Sequence, residues 1–183
     1  MGLTLIKALT ASGSASLDFV DGTSDVVMDN TYNEYQFYFV NMHPATDSVW
    51  LTFQANAASA SGFNETMTTT YFRAYHYEND SATALEYQAS SDQAQGTAYQ
   101  RITTNAGNDN DQSVSGILTL YAPSSTTYVK HFIARSNSAW ASDGSFETNV
   151  AGYINTTSAI DEISFKFSSG NTDAGTIYMY GVS

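Results

Sequence analysis

Tyr35-Gln36-Phe37-Tyr38-Phe39-Val40 is written in period two: Tyr35, Phe37 and Phe39 fall on one face of an extended chain, Tyr38 and Val40 on the other. Aromatic and β-branched side chains at that spacing suit a pleated surface. The same alternation continues in both directions from this stretch. Upstream, Leu3, Leu5 and Lys7 alternate with Thr4 and Ile6, and Ser14 to Phe19 alternates small and apolar residues. Downstream, Val49, Leu51 and Phe53 share a face, and Tyr71, Arg73 and Tyr75 oppose Phe72 and His76 within Thr70 to Tyr77. Thr97 to Ile102 is a weaker segment. Val114 to Leu120, Tyr128 to Ala134, Phe146 to Ile154, Ile163 to Phe167 and Thr176 to Tyr180 complete the series. Ten or eleven short strands bounded by Gly, Ser, Asn and Asp predict an all-β chain. The spacing between them favours long cross-sheet connections, hence a jelly-roll-like antiparallel β-sandwich, with residues 1–183 as a single domain.

Ala55 to Gly62 and Asn105 to Asp111 read as loop tips, and both prolines, Pro44 and Pro123, fall in loop-like contexts. A chain of 183 residues should bury roughly 70 % of its unfolded surface, enough for a core without staples. There are no cysteines, so neither disulfides nor thiolate metal sites contribute. Six Lys and Arg stand against eighteen Asp and Glu, a formal net charge of −12. That balance argues against nucleic-acid binding and against anionic membrane surfaces. Charged residues are only 13 % of the chain, so Ser, Thr, Asn and Gln must supply much of the polar surface. Such short side chains lose little entropy when a neighbour orders them, which suits an assembly face. No export signal is read at Met1 to Leu9, and no apolar run is long enough for a membrane helix.

Motifs for chemistry are sparse. His43, His76 and His131 show no metal-ligand spacing, and no Gly-x-Ser-x-Gly elbow occurs. Glycoside cleavage needs two facing carboxylates, and the acids nearest to strands are Glu86, Glu147 and Glu162. No catalytic residue is assigned, no cofactor is expected, and the chain is read as a binding protein rather than an enzyme. Gly107-Asn108-Asp109-Asn110-Asp111 concentrates oxygen ligands, making Asp109 and Asp111 calcium candidates. The run departs from the EF-hand pattern, and Asx-rich segments also make good turns. The sequons at Asn64 and Asn155 carry little meaning without export. Trp50 lies out of step with Val49, Leu51 and Phe53, while Tyr178 and Tyr180 stand opposite Ile177 and Met179. These three aromatics either form a second buried face or contact a partner subunit or glycan.

Several segments resemble a family of virion structural proteins of tailed phages of marine bacteria. They include Tyr32-Asn33-Glu34-Tyr35, Asn64-Glu65-Thr66, the run from Ser90 to Gly96, the run from Gly107 to Gly116, and Val129-Lys130-His131-Phe132. The stretch from Ser169 to Gly181 carries most weight: a glycine-led turn feeds Thr176-Ile177-Tyr178-Met179-Tyr180-Gly181. Similar final strands recur in phage fibre and decoration proteins, with Leu the commoner residue where Met179 stands. The resemblance implies a jelly-roll-like capsid decoration or fibre protein, assembled in the host cytoplasm and displayed on the particle. Its partners would be other virion proteins and copies of itself, a trimer being the expected homo-oligomer. A carbohydrate- or host-receptor-binding module on the tail is the alternative.

Overall fold

In the computed structural model, which describes residues 2–183, the chain forms thirteen strands: β1 (Leu3–Thr10), β2 (Leu17–Val20), β3 (Glu34–Pro44), β4 (Leu51–Ala57), β5 (Met67–Tyr77), β6 (Thr83–Tyr87), β7 (Ala94–Gly96), β8 (Gln100–Arg101), β9 (Val114–Tyr121), β10 (Lys130–Trp140), β11 (Gly144–Ile154), β12 (Ile160–Phe167) and β13 (Thr172–Val182). Every pairing is antiparallel. A nine-stranded sheet runs β1-β13-β3-β9-β10-β11-β5-β6, with β7 also on β5, and a four-stranded sheet runs β2-β12-β4-β8. The architecture is the expected jelly-roll-like sandwich, with one layer much wider than the other. Among the described residues no helix is long and apolar enough to cross a membrane.

The period-two pattern fixes what lies between the layers. Tyr35, Phe37 and Phe39 of β3 are buried, as are Leu118 and Leu120 of β9 and Ile177 and Met179 of β13. Phe165 of β12 meets them from the smaller sheet, its ring centroid 5.3 Å from Phe37, 5.2 Å from Phe39, 6.2 Å from Phe19 and 6.3 Å from Phe53. Offset and edge contacts at these separations favour aromatic pairs beyond their buried area. Strand β4 is buried on both faces. Leu51, Phe53 and Ala55 face the core, while Gln54 donates through Nε2 to the carbonyls of Glu65, Thr97 and Ala98, which cover its other side.

Several local expectations are corrected. Ala55 to Ala57 continue β4 rather than forming a loop tip. His43 and Pro44 end β3, where the lost N–H of proline costs the ladder nothing further. Only Gln100 and Arg101 of the segment Thr97 to Ile102 are strand. Its continuation is held instead by hydroxyls: Ser136 Oγ donates to Ile102 O (2.6 Å), Ser138 Oγ to Thr104 O (2.8 Å) and Tyr71 Oη to Thr103 O (2.9 Å). Strands β6 and β7 were not expected. Near the chain's end, Gly175 has φ +108°, and a Cβ there would lie 2.6 Å from Asn41 O. Only glycine fits that crossing, at a register shift between β13 and β3.

Candidate functional site

The four-stranded sheet covers one face of the wide sheet, and the other face has no second layer. Register aligns the outward side chains into rows across the strands. One row is Leu5, Tyr180, Gln36, Thr119, Ile133, Ala151 and Thr70. The next is Ala8, Tyr178, Tyr38, Ile117, Arg135, Asn149, Phe72 and Tyr87. A third, shorter row runs Leu3, Val182, Glu34 and Tyr121. Leu3, Leu5, Ile133, Tyr87, Phe72 and Tyr121 are all exposed, the first four by more than half. Scattered exposed apolar residues are ordinary; rows of them on one continuous face mark an interaction surface.

Charge on this face is nearly balanced. Glu34 is an acid in these rows, and Arg135 is held by Glu147, Nε to Oε1 at 2.7 Å. The Arg135 hydrogen bond, with a second from Asn149, keeps the Glu147 carboxyl below the usual carboxylate range. Toward one end of strands β9, β10, β11 and β5 lies a trough of about 510 Å³ lined by Ala151, Gly152, Tyr121, His131, Ile133 and Tyr153, with Thr68 and Thr70 at one side.

Tyr178 and Tyr180 therefore stand on this face, half-buried, with Tyr180 edge-on to Tyr38 at 5.4 Å. Trp50 does not join them. Val49, Leu51 and Phe53 are buried and Trp50 points away from them, half-buried beneath Arg101. Sequence reasoning passed over Ile133 and Tyr121, although Ile133 alternates with buried Phe132 and Ala134 in plain period two.

Asp109 and Asp111 lie in a turn at a different end of the molecule. Gln112 N donates to Asp109 O (2.9 Å), and Gln112 Nε2 to Trp140 O (3.2 Å). Asn108 Nδ2 donates to Ala45 O, and His43 Nε2 lies 3.2 Å from Asp109 O. Among the described residues no three His, Asp or Glu side chains converge as metal ligands. His76 pairs with Asp80 (2.9 Å), and His131 lies edge-on to Tyr153, so the three histidines have separate partners. The strand acids are equally dispersed: Glu86 is bound by Arg73 at 2.6 Å, Glu147 by Arg135, and Glu162 by Asn56 Nδ2 at 3.2 Å.

No protein-family model, curated protein or solved structure matches this chain.

Proposed function

We propose that this chain is a non-enzymatic structural subunit of a virion surface, of the decoration or fibre kind, that docks on neighbouring subunits through the open face of its wide sheet. One observation carries the reading: eight strands in unbroken order present aligned rows of exposed Leu, Ile, Phe and Tyr with no layer over them. Seven spacings of about 4.8 Å and strands of five to eleven residues, about 17–36 Å long, give a face of roughly 1,000 Å². A standard specific interface needs about 800 Å² per partner. Near-neutral charge matters as much as size. Each copy is strongly anionic, so a like-charged neighbour approaches at least cost where acids are few. The sequence resemblance to virion proteins supports the particle as the setting and a homo-oligomer as the state.

The test is a charge placed in the middle of the face. Ile133 is 52 % exposed, so Ile133→Asp leaves the fold intact and abolishes assembly, measured by sedimentation of the purified chain and by its incorporation into particles. Normal incorporation of the variant sinks the reading.

A second reading, glycan binding, is favoured by the trough: Tyr121 and Tyr153 offer ring faces and Thr68 and Thr70 offer hydroxyls. Under that reading Tyr121→Ala would abolish retention on a glycan array.

A further inference from the structure

The wide sheet has two open edges, β1 and β6, and they are built differently. Strand β1 carries Lys7 in its middle and a register shift between Leu5 and Lys7. A charge and a bulge are the usual means by which an edge resists pairing with another chain. Strand β6 has no bulge: its register with β5 is unbroken from Phe72↔Tyr87 to His76↔Thr83, and it contains no Lys and no Pro. Its one acid, Glu86, is already neutralised by Arg73 at 2.6 Å.

Flanking hydrogen bonds show which backbone groups the edge offers. Tyr77 N donates to Ala82 O (3.0 Å) and Gln88 N to Tyr71 O (2.9 Å). Antiparallel ladders alternate, so between these points Ala84 and Glu86 bond β5, while Thr83, Leu85 and Tyr87 turn their N–H and C=O outward. The same three residues stand on the open face, Leu85 at 73 % exposure and Tyr87 at 54 %.

We infer that β6 is a self-pairing edge, and that its occupant is the β6 strand of a second copy, antiparallel about a two-fold axis through Leu85. In that register Leu85 bonds Leu85 of the other copy, and Thr83 bonds Tyr87 in both directions, so all the outward groups are used. Shifting by one residue would put non-bonding positions opposite each other. The two Glu86 side chains do not meet: each lies across from Ala84, beside its own Arg73, which avoids directly opposed like charges. An isologous contact of this kind closes on itself, so it yields pairs rather than open aggregates. About 17 Å of ladder with Leu85, Tyr87 and Phe72 at its flank is a small, transient-class interface. Such a contact gains its strength from repetition on an assembled surface. It is separate from the docking of the open face and stands whether or not that docking occurs.

The chain has no cysteine, so single substitutions report the register directly. Under mild oxidation, Leu85→Cys should form a disulfide dimer of twice the 19.8 kDa monomer mass, since directly opposed strand residues fall within disulfide range. Ser142→Cys, exposed in the turn between β10 and β11, should remain monomeric. Thr83→Cys and Tyr87→Cys should cross-link when mixed and not alone. Leu85→Pro, which removes an outward N–H and leaves the β5 ladder intact, should abolish cross-linking of the Thr83→Cys and Tyr87→Cys pair. Ile133→Asp should leave Leu85→Cys cross-linking unchanged, which separates this edge from the face. Equal cross-linking of Leu85→Cys and Ser142→Cys, or none from either, overturns the proposal. Cross-linking of Thr83→Cys with itself overturns the register.

Discussion

The guanidinium of Arg101 lies over the indole of Trp50, its Cζ 3.9 Å from the ring centroid. A cation seated there occupies the ring face that a sugar would stack on, and both side chains are half-buried by the contact. The ring is therefore a structural clasp on the edge strand β8. Arg101→Ala should uncover it: tryptophan emission shifts to the red, acrylamide quenching increases, and stability falls by about 0.5–1 kcal/mol. Unchanged emission would show that the pair does not persist in solution.

Buried titratable groups give the stability curve a shape at alkaline pH. Tyr35, fully buried and donating to Asp29 O at 3.0 Å, has its phenol pushed up to about 12, by burial first and by Asp29 second. An unfolded tyrosine ionises near 10. The folded chain keeps a proton that the unfolded chain loses, so this contribution is complete below about pH 10 and is lost as pH rises toward 12, by up to about 2–3 kcal/mol. Lys130 acts in the opposite sense. It is buried with Nζ on Tyr128 O (2.9 Å) and Thr156 O (3.1 Å), and burial lowers its pKa, with Glu65 partly opposing. The folded chain releases that proton first, so stability rises with pH up to the unfolded lysine value near 10.4. Urea melts from pH 7 to 11.5 should show a rise followed by a fall. Tyr35→Phe should reduce the fall, to which buried Tyr71, also pushed up by burial, adds in the same sense, and Lys130→Met should remove the rise.

Much of this was legible in the sequence. Tyr35, Phe37 and Phe39 announce their buried face because a strand side has room for only one pattern, and Trp50 announces its separation from Leu51 and Phe53 by being one residue out of step. Strand β6 escaped because Thr83 to Tyr87 is five residues long and both its ends are turns, so its alternation is too brief to separate from loop. The segment after Gln100 deceived for another reason: its apolar residue Ile102 is buried, yet its carbonyls are satisfied by Ser136, Ser138 and Tyr71, partners 30 or more positions away in sequence. The open face was half legible. The pattern sets Tyr178 and Tyr180 opposite Ile177 and Met179 and leaves a second buried face and an exposed contact both open, because whether a second layer covers them depends on how many strands join each sheet, which no local pattern encodes.

Asp161 marks a bulge between Ile160 and Glu162 in β12, and its Oδ1 is buried with no hydrogen-bond partner among the described residues. Burial, with Asp21 nearby, raises its pKa. A raised carboxyl favours the fold only while protonated, so its contribution is present below about pH 3.9 and is lost as pH rises through the folded value. At neutral pH the charge is a liability. Asp161→Asn should stabilise the chain at pH 7, by no more than about 1 kcal/mol because the group is partly solvated. The gain should disappear near pH 3.5. A variant less stable at pH 7 than the parent would mean that the ionised form has a partner in solution.

Gln112 decides between the two readings of the Asp109 and Asp111 loop. Its side chain is buried, donating to Trp140 O and accepting from Asp109 N at 3.3 Å, while a Cβ on Gly107 would collide with its amide. The loop's shape thus comes from one glutamine amide packed under it, with Asp109 and Asp111 exposed beside it. Gln112→Ala should cost about 0.5–1.5 kcal/mol by removing the bonds to Trp140 O and from Asp109 N, while Trp140 O keeps its bond from Asp143 N. Calcium above about 10⁻³ M, the range of the weakest protein sites, should leave the melting temperature where it was. Asp109→Asn with Asp111→Asn should be equally neutral. A rise in melting temperature with calcium that the double variant loses would make the pair a metal site and reduce the glutamine to a bystander.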